Sequence, residues 1–124
     1  MNWCAIAAFL LALAVVLGAF GAHELKNHLD AYLMGVWEKA VFYHFVHALG
    51  LLLTGLAARA GVLRPNAASR VGWLLLAGIV LFSGSLYTLA LSRMYVLGAL
   101  TPLGGLSFIA AWLWLGVELL RSKS

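Results

Sequence analysis

From Trp3 to Gly21 the chain carries no charged residue, and at about 1.5 Å per helical residue that run is long enough to cross a hydrocarbon core of roughly 30 Å. Lipid offers the backbone no hydrogen-bond partner, so a segment held there must satisfy its own amide groups. Further apolar runs at about 40–58, 71–91 and 98–119 read the same way. Composition agrees: 65% of the 124 residues are hydrophobic and 10% charged, with mean hydropathy +1.01, against roughly half apolar and a quarter charged in a soluble domain. The expected fold class is all-α, an integral membrane four-helix bundle forming a single transmembrane domain over 1–124, with a short interfacial helix between spans one and two.

Ala19-Phe20-Gly21 loosely matches a small-residue cleavage site, but the apolar run has no basic segment ahead of it and is read as a retained span. Ala14, Gly18 and Ala22 place small residues at four-residue spacing, a surface that admits a close helix. Over about 23–36 the chain turns amphipathic, Leu25, Leu29 and Leu33 alternating with Glu24, Lys26, Asn27, His28 and Asp30. That pattern predicts a short helix in the membrane interface, broken near Gly35. Arg59 and Gly61 mark the end of span two, with Gly61 as a C-terminal cap before the turn at Arg64-Pro65-Asn66. Pro102 falls in the first turn of span four, where its missing N–H costs nothing.

With four spans, both termini and the link between spans two and three share one side, which carries Arg59, Arg64, Arg70, Arg121 and Lys123. The other side carries Lys26, Lys39 and Arg93, offset by Glu24, Asp30 and Glu38. Five basic residues against three place both termini in the cytoplasm of a bacterial inner membrane. The net charge of +4 is scattered over helix ends in no dense patch, which argues against nucleic acid. Cys4 is the single cysteine, so neither an intrachain disulfide nor a thiolate metal cluster is available.

Charge gives way to the second run through Trp37-Glu38-Lys39-Ala40-Val41-Phe42-Tyr43-His44-Phe45-Val46-His47-Ala48-Leu49-Gly50. At about 100° per residue, Tyr43, His44, His47, Gly50, Leu51 and Thr54 share a third of the helix circumference, opposite Phe42, Phe45, Leu49, Leu52, Leu53 and Leu56. Ionisable groups are costly in a bilayer, so the histidine face is expected to turn toward protein. All four histidines, His23, His28, His44 and His47, lie in the first outward loop or the outward half of span two. Span three reaches that depth at Ser83 and Tyr87, four apart on one face, and span four begins there with Thr101. The candidate site is thus an outward polar cluster of His23, Glu24, Lys39, Tyr43, His44, His47, Ser83, Tyr87 and Thr101.

Histidines at i and i+3 can face one ion, and imidazole suits zinc, copper and iron. Such a site needs a further ligand from Glu24, Glu38, His23 or His28. The other reading has the imidazoles bonding across helices to hydroxyls or carbonyls and fixing the bundle, and it is preferred here. A proton relay is the middle option, but spans one, three and four lack a ladder of ionisable groups deep in the membrane. Glu118 reads as an interfacial carboxylate beside Arg121, the five tryptophans as aromatic belts, and glycines such as Gly50 and Gly104 as close helix crossings. No nucleophile with a base, phosphate loop or paired-carboxylate site is present, and Ser83 and Ser85 have no Lys or His partner in sequence reach. No catalytic residue and no cofactor is assigned.

Four motifs in order, Gly18-Ala19-Phe20-Gly21-Ala22-His23, the Trp37 to Leu49 stretch, Gly84-Ser85-Leu86-Tyr87 and Thr101-Pro102-Leu103-Gly104-Gly105, make the chain resemble the YgdD-like family. These are small four-span bacterial inner-membrane proteins, with mitochondrial relatives in animals, classed as a domain of unknown function. The resemblance covers nearly the whole chain and implies four spans but no activity. His23 and His47 match the pattern, whereas a polar residue such as Gln often stands where His44 does, which favours a hydrogen-bonding role there. The function expected is that of a non-enzymatic structural or interaction component of the bilayer, as a homo-oligomer or within a larger membrane complex. The alternative is a binding or transport module for a small molecule, metal or lipid.

Overall fold

The protein is described by a computed structural model over residues 1–122; Lys123, one of the five basic residues counted above, lies outside the described residues. Five α-helices, α1 (Trp3–His23), α2 (Ala31–Arg59), α3 (Pro65–Gly78), α4 (Gly84–Ser92) and α5 (Thr101–Ser122), build the bundle. A π-helical turn, Ile79–Ser83, joins α3 to α4, so Pro65–Ser92 is one continuous rod. Single-turn 3-10 segments, Leu25–Asn27 and Tyr95–Ala99, precede α2 and α5. Four rods are long and apolar enough to cross a membrane. The terminal face of the bundle holds the start of α1, the α2–α3 link and the end of α5; the distal face holds the other two links.

The interfacial segment takes a different form from that expected. Asp30, in extended geometry, accepts the Leu33 N–H at 2.8 Å through Oδ1 and starts α2 at Ala31. The helix then runs through Gly35 without a break. Gly35 costs a helix about 1 kcal/mol, but Leu33, Val36 and Trp37 around it are buried, and their packing overrides that cost. What remains of the interfacial helix is the turn Leu25–Asn27. Leu25 and Leu33 fold over the distal end of the bundle against Leu86 and Leu89. At 29 residues, α2 is about 43 Å long, so its first two turns, up to Glu38 and Lys39, extend past a 30 Å hydrocarbon core.

The Gly61 cap forms as the sequence indicates. Its φ of 79° lets the Val62 N–H reach the Ala57 carbonyl at 2.9 Å and its own N–H reach Ala58 at 3.1 Å, the paired bonds that close a helix on a left-handed residue.

Helix α2 and the Pro65–Ser92 rod form the inner pair, and α1 and α5 flank them. Along α2 the buried residues Leu33, Trp37, Ala40, His44, His47, Leu51 and Thr54 alternate steps of four and three. Along α1 the same steps run through Trp3, Ala7, Leu10, Ala14, Leu17 and Gly21, all buried or half-buried. This four-three alternation is the spacing by which helices pack along a shared seam, and Trp37 and His44 meet α1 through it. Of the small-residue stripe Ala14, Gly18 and Ala22, Ala14 is buried, Gly18 half-buried and Ala22 exposed, and Gly21 joins Ala14 in the seam. On the other flank α5 meets the rod through two reciprocal contacts: a Cβ on Gly104 would strike the Phe82 backbone, and one on Gly78 would strike the Phe108 ring. Lipid is as apolar as leucine, so helices associate through such close approach and through hydrogen bonds. Replacing Gly104 by Leu should therefore part α5 from the rod, costing about 1–3 kcal/mol or more. Thermal unfolding in detergent checks this, and an unchanged midpoint would contradict the crossing.

Candidate functional site

The polar face of α2 points into the protein. His44, His47, Gly50, Leu51 and Thr54 are buried and Tyr43 half-buried, while Phe42, Leu49, Leu53 and Leu56 are exposed on the outside. Two α2 side chains reach across the α1 seam to backbone oxygens: Trp37 Nε1 donates to Leu17 at 3.0 Å, and His44 Nε2 contacts the Leu10 carbonyl at 2.9 Å. Donors and acceptors are each seven residues apart, as an antiparallel pair in constant register requires. The Cβ-free Gly21 gives the Trp37 indole its room.

Tyr87 enters from α4 between these two. Its ring lies 4.8 Å from Trp37, and its hydroxyl is 2.8 Å from His44 Nδ1. A carbonyl only accepts, so His44 must carry its proton on Nε2, and Nδ1 must accept from the tyrosine. His44 thus links α1, α2 and α4 and uses both ring nitrogens. One turn back along the same row, Ser83 Oγ donates to the Ala40 carbonyl at 2.7 Å.

His47 faces elsewhere. Its ring stacks on Phe108 of α5 with centroids 3.5 Å apart, and Tyr43 and Trp112 lie close by. Its Nδ1 donates to the Tyr43 carbonyl at 2.7 Å, which leaves the Nε2 lone pair free of any hydrogen bond among the described residues. The two imidazoles are therefore turned to different helices and carry opposite tautomers.

Thr101 belongs to a separate pair. Ser85 spends its single proton on the Phe82 carbonyl at 2.9 Å, so Thr101 donates to Ser85 at 2.7 Å, tying α5 to α4. His23, Glu24 and Lys39 are exposed at the distal face, away from the buried residues. The nine candidate residues thus divide into a His44–Tyr87 link, a neighbouring Ser83 bond, a Tyr43–His47 aromatic stack, a Ser85–Thr101 pair and three surface groups. No three His, Cys, Asp or Glu side chains converge among the described residues.

Sequence reasoning missed two features. A position near a span end points to the aromatic belt for Trp37, but the residue is 2% exposed and works as a buried donor. Spacing pairs Glu118 with Arg121 alone, yet both oxygens of its buried carboxylate accept from Arg64 Nη2, at 3.0 and 3.1 Å, with Arg121 at 4.0 Å. Arg64 stands 54 residues away, and the only sequence signal for the pairing is that both lie at the same end of the bundle.

Comparison with known proteins shows the family. The family described as Protein of unknown function (DUF423) matches residues 17–105. The chain belongs to that family. A UPF0382 membrane protein of Staphylococcus saprophyticus is 52% identical over 103 residues, covering 83% of each chain. A second, from Staphylococcus haemolyticus, is 52% identical over 103 residues, covering 83% of this chain and 82% of its own. The UPF0382 membrane protein YwdK of Bacillus subtilis is 45% identical over 111 residues, covering 88% of both. No solved structure matches the chain. The membrane family of unknown function indicated by the four motifs is thus the family found. The matched stretch runs from Leu17, the Trp37 acceptor, to just past Thr101.

The opposed tautomers are directly measurable. Ring nitrogen chemical shifts of the labelled protein in bilayers should report His44 protonated at Nε2 and His47 at Nδ1; the same tautomer at both would break the bonding scheme.

Proposed function

We propose that the protein is a non-enzymatic structural or interaction component of the bacterial inner membrane, working as a homo-oligomer or within a larger membrane complex. In this reading the His, Tyr, Ser and Thr groups are helix fasteners. One observation carries it: among the described residues, every fully enclosed side-chain nitrogen or oxygen has a hydrogen-bond partner inside the protein. Ser107 adds to the set by donating to the Leu74 carbonyl at 2.6 Å between α5 and α3. Ser83, Ser85 and Ser107 give their protons to backbone carbonyls and not to a base that could activate them as nucleophiles. The relatives carry no enzymatic name.

A second reading, a binding module, draws on His47, whose ring packs with Tyr43, Phe108 and Trp112 and whose Nε2 makes no hydrogen bond among the described residues. Two variants separate the readings. Tyr87→Phe deletes one oxygen and strips His44 Nδ1 of its donor, so the structural reading expects a loss of about 1 kcal/mol or somewhat more in detergent. His47→Phe keeps an aromatic ring in the stack. If native mass spectrometry or metal analysis finds a bound species that His47→Phe removes without lowering the unfolding temperature, the binding reading replaces the structural one.

We propose further that both termini are cytoplasmic. The support is the charge at the terminal face, where Arg59, Arg64, Arg70 and Arg121 meet one acid, Glu118, against the mixed charges of the distal face. A fluorescent protein fused at the C-terminus should glow and an alkaline phosphatase fused there should stay inactive. The reverse result would invert the orientation.

A further inference from the structure

Between the start of α3 and the last turns of α5 lies a recess of about 400 Å³ at the terminal face. Its upper wall holds three guanidinium groups, Arg64, Arg70 and Arg121, and one carboxylate, Glu118. Three cations against one anion leave the recess positive. The carboxylate orients the cations without consuming them: Arg64 spends one nitrogen on it, and the Arg64 and Arg121 side chains remain 68% and 70% exposed. A guanidinium has five N–H donors in a planar fork suited to phosphate oxygens. Arg70 is held by its position over the Trp114 ring, 5.6 Å from the centroid, an attraction through the ring face that leaves its N–H groups free.

The lower wall differs in kind. Ala110, Leu113 and Val117 recur at three- and four-residue steps on α5 and lead from the arginines toward the middle of the span. The recess thus has a cationic top and, leading down from it, an apolar track about 10 Å long on the exposed face of α5. A free phosphate would fill only the top, and an acyl chain would fill only the track. An amphiphile with an anionic head matches both, and basic pockets between helices at a membrane surface suit such headgroups. Trp114 lies within the track, between Leu113 and Val117, and holds the Arg70 guanidinium beside it.

We infer that this recess is a binding site for an anionic phospholipid, its phosphate among Arg64, Arg70 and Arg121 and one acyl chain along Ala110, Leu113 and Val117. The site lies apart from the histidine row and stands whether or not the proposed function holds.

Arg64 is a poor residue to remove, because its loss strands the buried Glu118 charge, so the test uses Arg70→Gln/Arg121→Gln. Delipidated full-length protein in detergent is titrated with phosphatidylglycerol or phosphatidylcholine and read by native mass spectrometry. Wild type should bind one phosphatidylglycerol in clear preference to phosphatidylcholine. The double variant should lose roughly 30-fold in affinity for phosphatidylglycerol, at about a fivefold loss per arginine, and each single variant about fivefold. Unfolding temperatures without lipid should match wild type. If the double variant unfolds, the single variants carry the test. Arg59→Gln, at the same face but outside the recess, should keep the preference. Equal binding of the two lipids by wild type, unchanged binding by the variants, or an equal loss in Arg59→Gln would each overturn the site. So would inorganic phosphate protecting the protein from unfolding as well as phosphatidylglycerol does, since the ligand would then need no chain.

Discussion

A polar atom inside a bilayer has no solvent to fall back on, and His44 is where this chain meets that constraint most severely. Its two nitrogens face opposite demands, one donating and one accepting, and they are met by a carbonyl of α1 and a hydroxyl of α4. Three helices are thereby held at one point. Trp37 repeats the bond to α1 two turns away, and Tyr87 touches both rings. An apolar residue at position 44 would pack, but it would not select which faces of α1 and α4 come together.

The remaining contacts follow the same economy. Burial of leucines does little to hold helices together when the surrounding solvent is itself hydrocarbon. The chain relies instead on reciprocal glycine and phenylalanine contacts between α5 and the rod, and on hydroxyls donating to carbonyls of neighbouring helices. The π turn serves this purpose too. It adds a residue where Phe82 packs against Gly104 and Ser83 reaches Ala40, and such turns often mark places where a helix must re-aim its side chains.

Much of this is written legibly in the sequence. Long apolar runs announce the spans because a helix is what suits lipid at that length, and the clustering of His44, His47, Gly50 and Thr54 on one side of a helix announces the inward face. Gly61 is legible because a left-handed residue after a helix has few alternatives. Gly35 misleads because local propensity is outvoted by the burial of Leu33, Val36 and Trp37, which depends on chain distant in sequence. The partners of His44 and Trp37 are illegible for a different reason. They are mainly backbone carbonyls, which every residue has, so no side-chain type at positions 10 and 17 signals them. His44, Tyr87 and Thr101 share one depth in the sequence, but depth does not encode which way a side chain turns, and Thr101 turns to Ser85.

The connectivity of His44 has a consequence for how the chain is made. Its two partners are separated along the polypeptide: Leu10 has emerged 34 residues before it, whereas Tyr87 follows 43 residues after. When the first helical hairpin enters the membrane, the imidazole can dock on α1 at once, with its second nitrogen still waiting for a donor. Without the third crossing Nδ1 of His44 lacks its donor, so a nascent chain halted before that crossing would present an open acceptor to whatever insertion machinery or neighbouring helix lies beside it.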